Sequence, residues 1–178
     1  MNLLFYAVLA WTAPMYQEAE LTAARAGQIL ATFTAVFTIA NPILGWQSKS
    51  HDCRLWLEAS AGLAMLGLDI LAVAPLSAPF LSIPLFAFGL GGTFMLGMAL
   101  PMGNTDNSAE ANAWNAFVQM IGYLIAAGGP LAVGRLRDAA GGFTLGFQCL
   151  TGVALLMVAL SPFPEPRTSN ASRAMAQA

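Results

Sequence analysis

Three polar side chains recur at four-residue intervals along one apolar stretch, namely Asn115, Gln119 and Tyr123. Positions i, i+4 and i+8 share one face of a helix, so the spacing predicts a polar stripe about 12 Å long. Amide and phenol groups can bind a small anion or a polar heterocycle without placing a formal charge in a membrane. The same groups form hydrogen bonds between membrane helices, worth about 0.6 kcal/mol on average. The stripe therefore has two interpretations, substrate or gating contact and helix packing.

A run of small residues overlaps the polar stripe. Gly122, Ala126, Pro130 and Gly134 recur every four residues, and Gly129 precedes the proline. In a water-soluble helix interior glycines and a proline are strongly destabilising. In a bilayer, by contrast, a face of small residues lets a neighbouring helix backbone approach closely. The pattern predicts a helix-packing face on a membrane helix.

The composition agrees with a membrane location. Of 178 residues, 57% are hydrophobic and only 9% are charged, against about 25% charged in a soluble domain. With a mean hydropathy of +0.65, the chain cannot cover a soluble surface, so most of its surface is expected to face the lipid bilayer. The net charge of −2 provides no footprint for nucleic acid.

No group of residues in the sequence indicates catalysis or metal binding. His51 is the only histidine, and the two cysteines, Cys53 and Cys149, lack metal-ligand spacing. A hydrolase of the Ser-His type would have to bring the loop residue His51 into the bilayer. The expectation is a protein that is not an enzyme and has no cofactor and no metal. Asp69, an ionisable residue inside an apolar stretch, is either a functional acid or a protonated, hydrogen-bonded or snorkelling one.

Six apolar segments must position these residues, and they predict an all-α integral membrane fold with six transmembrane helices. Thr22 is placed as the N-cap of the second helix. The first segment has about fourteen residues, or about 21 Å, against a hydrocarbon core of about 30 Å. The polar residues 164–178 are predicted to form a disordered cytoplasmic tail. The predicted transmembrane domain covers residues 1–163, with spans at about 3–16, 26–46, 55–74, 80–102, 111–133 and 143–163.

Residues 112–142 resemble the eleventh helix of the cyanate and nitroimidazole transporter family, within the major facilitator superfamily. Residues 6–14 (YAVLAWTAP) are similar to the seventh helix of that family. The resemblance covers about residues 3–163, but only the C-terminal six-helix half of a twelve-helix family. The matching positions in the longer run are Gln119, Gly122, Tyr123, Leu124, Gly129, Pro130, Leu131, Gly134, Asp138 and Gly141.

The resemblance implies a secondary active transporter that moves a small anion such as cyanate, or a small polar heterocycle, by alternating access. It implies half of a major facilitator bundle, a bacterial inner-membrane location with both termini cytoplasmic, and no soluble cofactor. By helix position it adds cavity candidates to the polar stripe. The resulting substrate or gating candidates are Tyr6, Trp11, Asn115, Gln119 and Tyr123, with Phe94 and Met98 as further cavity candidates.

The half-length resemblance leaves several alternatives open. Besides a small-molecule substrate and lipid, the expected partners are a separate N-terminal half or a second copy of the chain, because a complete carrier builds its cavity between two halves. The short first segment favours a truncated frame or a misassigned start. The alternative function is an inactive remnant, or a half-bundle that acts only as an interaction module for another membrane protein.

Overall fold

The computed structural model describes residues 1–47, 54–105 and 107–161, and these ranges contain six helices and no strand. The all-α class predicted from the sequence is confirmed. His51, Cys53 and the predicted tail 164–178 lie outside the described residues. The helices are α1 (Asn2–Glu18), α2 (Ala23–Gln47), α3 (Arg54–Val73), α4 (Pro79–Asn104), α5 (Ser108–Ala140) and α6 (Thr144–Leu160).

The ends of the helices follow local capping signals. The Asn107 side chain accepts a hydrogen bond of 2.8 Å from the backbone N–H of Glu110 at the start of α5. At its other end, Gly141 adopts φ 73°, and its N–H donates to the Arg137 carbonyl. That left-handed backbone suits glycine. The predicted cap Thr22 accepts from the Arg25 N–H at 3.3 Å.

Helices α1 and α5 run parallel to each other over the whole of α1. Asn2 is hydrogen-bonded to Gln119, Trp11 to the Pro130 carbonyl, and Glu18 is paired with Arg137. The sequence separation stays between 117 and 119 residues along this series. A constant separation means that both helices advance in the same direction. The small-residue face described above lies against α1 throughout.

Helix α4 packs against both α2 and α3. It runs parallel to α2, since Phe33 stacks on Phe86 at 5.9 Å and Phe37 meets Phe94 at 6.0 Å. It runs antiparallel to α3, where Gly89 lies against Ser60 and Ala64, and Gly67 against Ser82 and Phe86. The hydrophobic core includes residues from all six helices, and Val133 is the member from α5. Its largest fully buried members include Tyr16, Phe33, Phe86 and Phe147.

Among the described residues, four helices are long and apolar enough to cross a membrane: α2, α3, α4 and α5 over the windows Ala23–Trp46, Leu55–Val73, Pro79–Pro101 and Ser108–Ala140. Only 17% of the α5 window and 22% of the α2 window are buried inside the bundle, against 44% for α3 and 50% for α4. The outward surface of α5 is apolar, as lipid or a further helical partner requires. Its exposed large side chains include Phe117, Val118, Ile121, Leu124, Ile125 and Leu131. The chain is an integral membrane protein.

Candidate functional site

A cavity of about 200 Å³ lies where α1, α2, α4 and α5 meet. Tyr6 and Tyr123, both predicted as substrate or gating residues, line it, and so does Phe94, a further cavity candidate. None of its lining residues has an acidic or basic side chain. The polar or aromatic members are Asn2, Phe5, Tyr6, Phe37, Phe94 and Tyr123.

The cavity lies at the middle of the long helices. Phe37 is near the centre of α2, Leu90 and Phe94 are near the centre of α4, and Tyr123 is near the centre of α5. Because each of these helices is long enough to span a membrane, their centres correspond to the middle of the bilayer.

Aromatic rings form a continuous arc around the cavity. Tyr6 lies 6.1 Å from Tyr123, Phe5 lies 4.9 Å from Phe37, and Phe37 lies 6.0 Å from Phe94, measured between ring centroids. Phe5 and Tyr6 also meet edge-on at 5.2 Å. These separations fall in the range in which aromatic pairs attract one another. The contacts between the rings therefore stabilise the arc, which presents ring faces and edges to the cavity.

Gln119 does not line the cavity, but it is hydrogen-bonded to Asn2, which does. The Asn2 Nδ2 donates to Gln119 Oε1 at 3.0 Å, and the Asn2 side chain, which lines the cavity, is almost fully buried at 8% exposure. Gly122 makes this contact possible, because a Cβ at that position would lie 2.8 Å from Asn2 Nδ2. Gln119 is thus a positioning residue in the structure, and Asn2 is the amide that faces the cavity.

Asn115 bridges two helices away from the cavity. Its Nδ2 donates to the Met98 carbonyl of α4 at 3.1 Å. This is the helix-packing interpretation of the polar stripe, whose three members thus have different neighbours. Asn115 contacts α4, Gln119 contacts α1, and Tyr123 reaches the cavity.

Replacing Asn115 by Leu is expected to destabilise the bundle by about 0.6 kcal/mol, the average for a hydrogen bond between membrane helices. Asn112→Leu is the matched control, since Asn112 is an exposed residue of the same helix. Unfolding by a denaturing detergent in mixed micelles measures both. Equal stability of the two variants would contradict the bridging role.

Trp11 packs between α5 and α6 and does not line the cavity. Its Nε1 donates to the Pro130 carbonyl at 2.8 Å, and its ring lies 5.4 Å from Phe143. Gly134 leaves the space that the indole occupies, because a Cβ there would lie 2.9 Å from the Trp11 ring. Gly129 does the same for the Leu3 backbone, also at 2.9 Å. The structure places Trp11 in helix packing.

An ion pair joins α1 and α5 at the end remote from the cavity. Arg137 pairs with Glu18 and also donates to Asp138 at 2.9 Å, and its guanidinium lies 5.3 Å from the centre of the Phe143 ring. The Arg137 and Glu18 side chains remain 35% and 44% exposed. An exposed pair of this kind contributes little to stability. Asp69 is not part of this ion pair. Its exposed side chain lies on α3, one turn before the end of that helix.

Sequence reasoning missed five residues of the cavity, Met1, Asn2, Phe5, Phe37 and Leu90. Asn2 carried a usable signal, because an amide at the start of an apolar segment requires a partner. Phe5 and Phe37 carried none, since a phenylalanine in an apolar helix has the same local pattern whether it faces a cavity or the core. Within the described ranges, no group of three His, Cys, Asp or Glu residues is placed to hold a metal ion.

The fold and the site define a class of protein: a helical membrane bundle whose cavity lies at mid-membrane depth. Comparison with known proteins adds the relatives. The chain is 25% identical to the cyanate transport protein CynX of Escherichia coli (strain K12), over 92% of this chain and 44% of that protein. It is 28% identical to the 2-nitroimidazole transporter of the same organism, over 91% of this chain and 40% of the relative. It is 29% identical to the uncharacterized transporter YycB of Bacillus subtilis (strain 168), over 88% and 39%.

The resemblance to the cyanate and nitroimidazole transporters is confirmed by these relatives, which are transporters and not enzymes. No family model matches the chain. The chain spans less than half of the length of the curated relatives it matches.

Proposed function

We propose that this chain is one half of a secondary active transporter of the major facilitator type, with the cavity between α1, α2, α4 and α5 as its part of the substrate pathway. The observation that carries the proposal is the depth of that cavity, at the centres of three helices that are each long enough to span a membrane. Alternating access requires a site at this depth, which is exposed to one side of the membrane at a time.

The directions of the helices support a six-span topology. A chain that crosses a membrane at every helix must place α1, α3 and α5 in one direction and α2 and α4 in the other. The contacts show α1 parallel to α5, α2 parallel to α4, and α3 antiparallel to α4. Helices α1 and α6 have 17 residues each, or about 25 Å, which is at the lower limit for a helix that crosses a hydrocarbon core of about 30 Å. We place both termini in the cytoplasm and the protein in a bacterial inner membrane.

The second half of the carrier would meet the chain through α2 and α5. These two helices are the least buried of the four candidate spans, and the cavity is open beside them, with Tyr123 50% exposed. The matched relatives have more than twice the length that this chain covers, which provides a second half of similar size. That half is either a separate N-terminal half or a second copy of this chain. The relatives also set the range of substrates, a small anion such as cyanate or a small polar heterocycle.

Uptake measurements test the proposal. Cells that express this chain with a matching N-terminal half are expected to accumulate radiolabelled cyanate or 2-nitroimidazole above the empty-vector level. Replacing Tyr123 by Ala is expected to reduce the uptake at least tenfold, because the substitution removes a ring and a hydroxyl from the cavity wall.

The matched control is Ile121→Ala, a truncation of an exposed side chain of the same helix. It is expected to leave uptake unchanged. Expression of the chain alone distinguishes a self-sufficient dimer from a half that needs its complement. No uptake in either arrangement, with protein present in the membrane, would reject transport and favour the inactive remnant or interaction module.

A further inference from the structure

A second cavity lies near the end of the bundle that the Glu18–Arg137 pair occupies, where the last residues of α1 and α3 meet the start of α6. Its volume is about 200 Å³, and it shares no lining residue with the first cavity. Its walls include Glu18, Leu71 and Thr144. We propose that this second cavity binds a primary ammonium group that is attached to an apolar chain.

Much of the lining of the second cavity is apolar. Met15, Leu71, Phe143 and Phe147 belong to its wall, and each of them is at most 6% exposed. Such side chains provide the surface that a hydrocarbon chain needs in order to leave water. A cavity of about 150 Å³ lined by apolar side chains is sufficient to bind benzene, so the second cavity has room for a short alkyl chain.

Glu18 provides an acceptor for the ammonium group. The two hydrogen bonds that its side chain accepts from Arg137 both end on Oε1, one from Nε at 2.8 Å and one from Nη2. Oε2 therefore remains for a further donor, since a carboxylate has about four lone-pair sites. The Glu18 side chain is 44% exposed, so a ligand can reach it from the membrane surface.

The end of α3 provides another acceptor. The Leu71 carbonyl would normally accept from the N–H of the residue four positions later, but that residue is Pro75, which has no N–H. Ala74 donates to the Ile70 carbonyl at 2.8 Å. Leu71 is 1% exposed, and a buried carbonyl without a donor is costly. With the Thr144 hydroxyl, the wall offers three kinds of acceptor, and an ammonium group has three N–H donors.

The surrounding charges favour a cation over an anion. Arg137 is shared between Glu18 and Asp138, so two carboxylates surround one guanidinium and the group is net negative. The second cavity also lies at the C-terminal ends of α1 and α3 and at the N-terminal end of α6. Each end carries about half an elementary charge, negative at a C-terminus and positive at an N-terminus. The three helix ends therefore add to the negative charge.

Two sources supply this ligand chemistry, the headgroup of phosphatidylethanolamine and a free amphipathic amine. Titration of the purified chain in phosphatidylcholine nanodiscs tests the site, because that headgroup nitrogen has no N–H donor, and empty nanodiscs give the baseline. The probe n-hexylammonium is expected to bind at least tenfold more tightly than hexanol, and hexanoate more weakly than either. Exchange of the lipid for phosphatidylethanolamine is expected to lower the apparent affinity if the lipid is the occupant, and to leave it unchanged if a free amine is.

Two variants separate a binding role of Glu18 from a purely structural one. Glu18→Gln removes the charge and is expected to weaken n-hexylammonium binding at least tenfold. Arg137→Gln breaks the same ion pair but retains the carboxylate and removes its competing cation, so it is expected to strengthen binding several-fold. Glu20→Gln is the matched control, because Glu20 does not line the second cavity, and it is expected to bind normally.

Pro75→Ala tests the backbone acceptor, since alanine restores an N–H for the Leu71 carbonyl. It is expected to weaken n-hexylammonium binding several-fold. Binding of hexanol or hexanoate as tight as that of n-hexylammonium, unchanged binding in Glu18→Gln, or similar losses in Glu18→Gln and Arg137→Gln would each overturn the inference. Because the two cavities share no lining residue, these results do not depend on whether the chain transports a solute.

Discussion

Replacing Gly89 by Ala is expected to destabilise the bundle by about 3 kcal/mol, the upper part of the usual range for overpacking. The reason is the close crossing of α3 and α4. A Cβ at Gly89 would collide with the Ala64 backbone nitrogen and the Ser60 carbonyl oxygen, and would lie 2.9 Å from the Ala64 Cα. These are backbone atoms inside a helix, so no side-chain rotation can relieve the clash, and α3 and α4 must separate.

A separation of α3 and α4 would also reach the cavity. Leu90 follows Gly89 directly, and Phe94 lies on the next turn of α4, and both line the cavity. The variant is therefore expected to lose uptake as well as stability. Gly67→Ala should behave in the same way, because its Cβ would collide with the Phe86 backbone nitrogen across the same interface.

Two controls use the same substitution in the same two helices. Cβ atoms at Gly97 of α4 and Gly62 of α3 would have nothing within 4 Å. Gly97→Ala and Gly62→Ala are expected to be neutral, or to stabilise by up to about 1 kcal/mol, because alanine is the better helix former. The measurement is detergent-induced unfolding, supported by elution as a single species in gel filtration. Similar stabilities of Gly89→Ala and Gly97→Ala would show that the crossing tolerates a wider spacing.

The small-residue face shows what the sequence could and could not predict. The four-residue spacing predicts that Gly122, Ala126, Pro130 and Gly134 share one helical face, because that depends only on helix geometry. It could not identify α1 as the partner, since α1 lies more than a hundred residues earlier in the chain. Gly134 leaves space for the Trp11 ring, and Gly122 leaves space for the Asn2 side chain. These pairings depend on the tertiary arrangement alone.

The candidate site also contains one part that the sequence could predict and one part that it could not. Tyr6 and Trp11 were both chosen by helix position, yet they are separated by roughly 140° around α1 at 3.6 residues per turn. Only Tyr6 lines the cavity. The polar stripe lies on one face of α5 but contacts two helices, because α4 and α1 pack against different turns of α5. Periodicity determines a direction around one helix, whereas the neighbour found in that direction depends on the whole bundle.

Replacing Trp11 by Ala is expected to destabilise the bundle by about 3 kcal/mol, the lower end of the range for removing a large aromatic side chain from a packed site. The variant loses the contact with Phe143, empties the space beside Gly134, and removes the hydrogen bond to the Pro130 carbonyl. Trp11→Phe retains most of the ring volume and removes the N–H donor. That variant is expected to lose only about 1 kcal/mol, the usual net contribution of one hydrogen bond.

Trp114→Ala is the control for the loss of an indole, because Trp114 is 53% exposed on α5. It is expected to change stability little, as its ring is not enclosed by other helices. Trp11 also ties α1 to α5 on the helix pair that places Tyr6 opposite Tyr123. Trp11→Ala should therefore reduce uptake even where the protein remains folded. If Trp11→Ala were as stable as Trp114→Ala and supported normal uptake, the α1–α5 pair would not depend on this contact.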